Sequence, residues 1–146
     1  MTYLEFITYV KTWLLETKDL VYVKELLEDE IELPINELGI NRFPSAFLTP
    51  LPISVDGENM VTYSIRIYLA GDVGLSPVMN PPLFSISKRY LTFNQLITIF
   101  QKFIQQIPND FNGIQYPITG NPILLWDSNV DGLYFDINFR TGVECL

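Results

Sequence analysis

Histidine is absent from this chain of 146 residues, and its only cysteine, Cys145, stands one residue from the end. The first absence removes the commonest general base and the commonest metal ligand. A Ser-His-Asp or Cys-His mechanism and a His-based zinc site are therefore excluded within one chain. The second allows no internal disulfide. Positive charge is also scarce: nine Lys and Arg face seventeen Asp and Glu, a net charge of −8. That balance opposes the phosphate neutralisation on which nucleic-acid binding depends, so no specific nucleic-acid partner is expected. No apolar run approaches the ~20 residues needed to span a bilayer, which leads to the expectation of a soluble protein with no membrane partner. The opening Met1-Thr2-Tyr3-Leu4-Glu5 shows no secretory signal, and synthesis in a cytoplasm is expected. Neither Gly-x-Gly-x-x-Gly nor Gly-x-x-x-x-Gly-Lys occurs, and no cofactor is expected.

What the chain has is apolar and aromatic material: 48% hydrophobic residues, 14% aromatics and only 18% charged. This suffices for one domain over residues 1–146, burying about two thirds of its unfolded surface. Thr2 and Glu5 have capping-box spacing, and Phe6, Ile7, Val10, Trp13 and Leu14 recur at helical intervals, which predicts a helix over residues 3–16. Residues 19–42 read as either strand or short helix, followed by a connection. They include an acidic cluster, Glu25, Glu28, Asp29, Glu30 and Glu32, which reads as a solvated stretch.

From Ala46 the texture becomes β. Val61 to Leu69 alternates over nine positions, with Val61, Tyr63, Ile65, Ile67 and Leu69 on one face and Thr62, Ser64, Arg66 and Tyr68 on the other. The Asp56-Gly57 pair before it signals a hairpin. Pro50 and Pro52 make the incoming strand an edge, or irregular until Ile53. Gly71 to Pro82, with two glycines and three prolines, reads as a long loop or arm. A second capping box, Thr92-x-x-Gln95, opens a helix carrying Phe93, Leu96, Ile97, Phe100, Phe103, Ile104 and Ile107 and ended by Pro108.

Asp127-Ser128-Asn129-Val130-Asp131-Gly132 spells the first half of an EF-hand loop, with Asp127, Asn129 and Asp131 as candidate calcium ligands. Position 12, however, is Asn138, whose single neutral oxygen stands where the site wants a bidentate carboxylate. Leu133 to Arg140 also alternates with period two, the mark of a half-buried strand rather than a second helix. The better reading is a hairpin between Ile123–Trp126 and that strand, its loop rich in turn-forming residues. Asp127, Asp131 and Asp136 could in principle serve as paired acid and base, but nothing in the sequence perturbs them.

The order of elements predicts an α+β fold, an antiparallel β-sheet of two hairpins packed against two amphipathic helices. In that layout the chain resembles the neck and tail-completion proteins of tailed bacteriophages, the tail-terminator-like ring formers. The resemblance lies in the leading amphipathic helix, the Pro-flanked hairpin from Phe43-Pro44-Ser45-Ala46-Phe47-Leu48 through Val61 to Leu69, the long helix Thr92 to Ile107, and the closing hairpin from Trp126 to Phe139. It implies a non-enzymatic virion protein forming a homo-oligomeric ring, commonly of six or twelve copies, at the head-tail junction or the tail end. Portal, neck or tail-tube proteins would be its partners. The implied assembly surface is the two polar strand faces, Thr62, Ser64, Arg66 and Tyr68 with Tyr134, Asp136, Asn138 and Arg140. A calcium-binding module, a small acid-catalysed hydrolase and an adaptor domain unrelated to phages stand as alternatives.

Overall fold

The computed structural model describes residues 1–25, 44–57, 59–72, 85–123 and 130–142. Its first element, helix α1 (Tyr3–Glu16), begins at the capping box read from the sequence. The Thr2 amide donates to Glu5 Oε2 at 2.7 Å, and the Glu5 amide donates to Thr2 Oγ1 at 3.2 Å. Two of the donors that every helix N-terminus leaves unpaired are thereby satisfied. Phe6, Val10, Trp13 and Leu14 form the buried stripe. The outer face carries Leu4, Thr8, Thr12 and Leu15, and the hydroxyls of Thr8 and Thr12 donate back to the carbonyls of Leu4 and Thr8. Past the end of the helix, Asp19 turns the chain with φ of 76° and binds Lys102 at 2.6 Å. That hydrogen bond and the lysine's charge hold the Asp19 carboxyl below its ordinary range.

The strands that follow are β1 (Tyr22–Glu25), β2 (Ser45–Pro50), β3 (Ser54–Val55) and β4 (Met60–Asp72). Helix α2 (Ser85–Gln106), β5 (Asn121–Ile123) and β6 (Val130–Gly142) complete the order. They build a six-stranded sheet in the order β1-β2-β4-β6-β5, with β3 also paired to β4. The architecture is α+β, a sheet packed against two helices, as the sequence predicts. The sheet is mixed rather than purely antiparallel, because β1 pairs parallel with β2. Residues 19–25 of the ambiguous segment thus supply a turn and an edge strand, while 26–42, including most of the acidic cluster, lie outside the described residues. Lys24 and Glu25 on the edge are exposed, charge that discourages further pairing there.

Four boundaries differ from the sequence reading. Strand β4 runs to Asp72, so Gly71 and Asp72 of the expected loop belong to the sheet, and 73–82 lie outside the described residues. Helix α2 starts at Ser85, seven residues before Thr92, which sits buried inside it instead of capping it. Gln is a good helix former and Thr is tolerated, so a Thr-x-x-Gln box is as compatible with a helix interior as with its start. Strand β5 is Asn121–Ile123, and 124–126 lie outside the described residues. Strand β6 begins at Val130, inside the expected turn. As expected from the prolines, the strand entering the first hairpin breaks after Pro50 and resumes at Ser54.

The core lies between the helices and one face of the sheet. On that face Ile65 opposes Ile137, Ile67 opposes Phe135 and Leu69 opposes Leu133, all buried. Leu96, Ile99 and Phe103 of α2 cover them, with the Phe100 ring centroid 4.4 Å from that of Phe135. Gly71 permits the close approach of helix to strand, since a Cβ there would stand 2.7 Å from Thr92 Cγ2. The second edge of β6 is covered in two pieces, β5 at one end and residues 113–115 at the other, where the Arg140 amide donates to the Gly113 carbonyl at 2.9 Å. Among the described residues, no helix is long and apolar enough to cross a membrane.

Two outcomes follow for stability. Gly113 has φ of +112° and a Cβ there would meet the Arg140 carbonyl at 2.5 Å, so Gly113→Ala should cost at least about 2 kcal/mol in urea unfolding. The Tyr3 hydroxyl is buried with no hydrogen-bond partner among the described residues, so Tyr3→Phe should leave Tm unchanged or raise it.

Candidate functional site

The register of β4 against β6 gathers the eight residues singled out from the two polar strand faces. Thr62 faces Arg140, Ser64 faces Asn138, Arg66 faces Asp136 and Tyr68 faces Tyr134. All eight lie on the sheet face turned away from the core, because each is one position out of phase with a buried neighbour. The main-chain carbonyl of Ser64 accepts from Leu51 and that of Asn138 from Gln115. The backbones of these two residues therefore point away from each other, which makes Ser64↔Asn138 and Arg66↔Asp136 non-hydrogen-bonded pairs, the kind whose side chains come closest.

That closeness is used. Ser64 Oγ donates to Asn138 Oδ1 at 2.6 Å. Arg66 Nε donates to Asp136 Oδ1 at 2.8 Å and Nη2 to Oδ2 at 3.2 Å, a bidentate fork. The guanidinium lies 4.6 Å from the centroid of the Tyr134 ring, and the Tyr134 and Tyr68 centroids are 5.9 Å apart. The bond to Asp136 raises the already high pKa of Arg66, against the opposing effect of burial. At the far end Arg140 Nη2 donates to Asp56 Oδ2 at 2.7 Å. Asp56 also closes the β3–β4 hairpin, its Oδ1 accepting from the Met60 amide. Exposure is graded along the face: Arg140 is exposed, Thr62, Ser64, Arg66, Tyr134, Asp136 and Asn138 are half-buried, and Tyr68 is buried. The accessible part of the expected surface is thus all of it except Tyr68.

Among the other candidates, those that are described do not converge. Asp127 and Asn129 lie outside the described residues, and Asp131 is a buried strand residue opposite Gly71. Asn138, the twelfth position of the would-be calcium loop, is seven strand residues further on and on the opposite face. At ~3.4 Å per residue the two are about 24 Å apart along the strand, whereas calcium ligands sit ~2.4 Å from one ion. Asp131 and Asn138 therefore cannot both ligate one ion. Asp131 and Asp136 likewise face opposite sides of β6, and both Asp136 oxygens accept from Arg66. That pair cannot share a substrate as acid and base.

A second surface went unread in the sequence. An apolar groove of about 470 Å³ runs between α2 and the β5 edge, lined by Tyr90, Phe93, Ile97, Phe100, Pro122 and Leu133 among others. Tyr90 is 61% exposed and Ile97 44%. The signal was present in the width of the α2 stripe. Burial centres on Leu96, Ile99 and Phe103, which leaves Ile97 on the flank, partly exposed.

No protein-family model matches the chain, and no curated protein matches its sequence. The polar face and the groove therefore stand on their geometry.

The Arg66–Asp136 pair should couple measurably. A double-mutant cycle of Arg66→Ala and Asp136→Ala, read by urea unfolding, should give an interaction of about 1 kcal/mol. A value of zero would mean that the two side chains contribute independently.

Proposed function

We propose that this chain is a non-catalytic structural subunit of a tailed bacteriophage, forming a homo-oligomeric ring of six or twelve copies at the neck or the tail end. The observation that carries this reading is the β4–β6 face, where Ser64 is bonded to Asn138, Arg66 to Asp136 and Arg140 to Asp56. Such a face is rigid before any partner arrives, which lowers the ordering cost of association. Its groups bond mainly to each other, leaving a surface suited to shape recognition or to lining a passage rather than to chemistry.

The layout adds support, since a leading helix, a Pro-flanked hairpin, a long helix and a closing strand ladder make up the α+β fold that the resemblance implies. The net charge of −8 fits a conduit through which DNA passes, because like charge keeps the strand from adhering to the wall. In this reading the protein resides in the virion after assembly in the host cytoplasm, with portal, neck or tail-tube proteins as its neighbours.

Small-angle scattering of the purified chain mixed with portal or tail-tube protein tests the proposal. A particle with the mass of six or twelve copies joined to one of those proteins is expected, and a strict monomer that joins neither would overturn it.

A further inference from the structure

Asn112 is the only asparagine of the chain that is followed by glycine. It is exposed, in the irregular stretch between the end of α2 and the residues that cover the second edge of β6. Its main-chain N–H donates to the Asp110 carbonyl at 3.0 Å, and its side-chain amide has no hydrogen bond among the described residues. An unheld side chain in water can turn its Cγ onto the next main-chain nitrogen and close a five-membered ring. That nitrogen is open to it. Among the described residues the Gly113 N–H donates to nothing, whereas the Gly113 carbonyl accepts from the Arg140 amide at 2.9 Å.

The fold itself requires glycine at this place. Gly113 has φ of +112°, and a Cβ on it would stand 2.5 Å from the Arg140 carbonyl oxygen and 2.8 Å from the Phe139 ring. Position 113 is thus closed to the larger side chains that would shield the nitrogen from attack. Other asparagines are protected in identifiable ways. Asn121 precedes Pro122, whose nitrogen carries no hydrogen to lose. Asn59 precedes Met60, whose N–H is bonded to Asp56 Oδ1 at 3.2 Å. Asn138 Oδ1 accepts from Ser64, and Asn94 lies inside α2, where the N–H that follows it belongs to the helix ladder.

We propose that Asn112-Gly113 is a self-modification site at which the folded chain deamidates. The deprotonated Gly113 nitrogen attacks Cγ of Asn112, the bond from Cγ to the side-chain nitrogen breaks, and that nitrogen leaves as ammonia with a proton taken back from solvent. Water then opens the cyclic imide at one of its two carbonyl carbons and gives aspartate or isoaspartate. Nothing is oxidised or reduced, and water is the only co-reactant. In the isoaspartate product the main chain runs through Cβ, so an extra methylene enters the backbone directly before Gly113. Residues 113–115 hold the edge of β6 through the Gly113 carbonyl and the Gln115 amide, the latter donating to the Asn138 carbonyl at 2.9 Å. A lengthened chain displaces that clasp, and ageing loosens this end of the β4–β6 ladder. The site is independent of the ring proposal.

The experiment ages the purified full chain in mildly alkaline buffer made with oxygen-18 water, folded and, in parallel, unfolded in urea, and reads every asparagine by digestion and mass spectrometry. In the folded chain Asn112 should convert at least about tenfold faster than any other asparagine, since no Cβ screens the attacking nitrogen. The new carboxyl should carry one labelled oxygen. Conversion should slow in mildly acidic buffer, where less of the nitrogen is deprotonated, and Asn112→Gln, at an exposed position, should lose it. Hydrogen exchange at the Arg140 amide should be faster in the aged chain than in the fresh one, while Asn112→Asp, which adds the charge without the methylene, should leave it unchanged. Conversion at Asn112 confined to the urea-unfolded chain, conversion no faster than at the other asparagines, or an Arg140 amide that exchanges equally before and after ageing would each overturn the proposal.

Discussion

The antiparallel ladder between β4 and β6 is the constraint on which the rest depends. Thirteen consecutive residue pairs fix, by strand alternation alone, which side chains go to the helices and which go outward. Ile65, Ile67, Phe135 and Ile137 then give α1 and α2 a common surface to cover. The same register delivers Arg66 to Asp136 and Ser64 to Asn138 on the other side. Sheet stability and the preorganised outer face therefore share one cause, and a slip of a single residue would lose both.

Much of this was legible in the sequence because period-two alternation is a local property. Val61 to Leu69 and Leu133 to Arg140 each announced an inward and an outward set, and both sets are found where the pattern put them. Helix α1 was readable to the residue, since its capping box stands directly before a stripe of ordinary width. What local pattern could not supply was partnership. Nothing in Tyr22-Val23-Lys24-Glu25 says that it joins β2 in parallel, because parallel pairing is set by a distant strand. Nor could the Thr92 motif reveal that the helix had begun at Ser85, as a capping box has the composition of good helix interior.

The candidate surfaces divide in the same way. The eight polar residues could be named from alternation, yet their pairing required the register, and the burial of Tyr68 required the fold. The groove is not legible in sequence because the seven apolar residues on α2 form one continuous stripe, whereas the sheet accepts only the part centred on Leu96, Ile99 and Phe103. Surplus width on an amphipathic helix is thus a signal in its own right, since a flank that the core cannot use stays in water or finds another cover.

The outer face of α1 carries a quieter consequence. By composition Leu4, Thr8, Thr12 and Leu15 are half polar, and a count of residue types would call the face mixed. But the hydroxyls of Thr8 and Thr12 are spent on the carbonyls one turn back, a habit that also tends to bend helices slightly. With their protons committed, these hydroxyls can offer water only acceptor lone pairs, so this side of the helix accepts hydrogen bonds from solvent but donates none from Thr8 or Thr12.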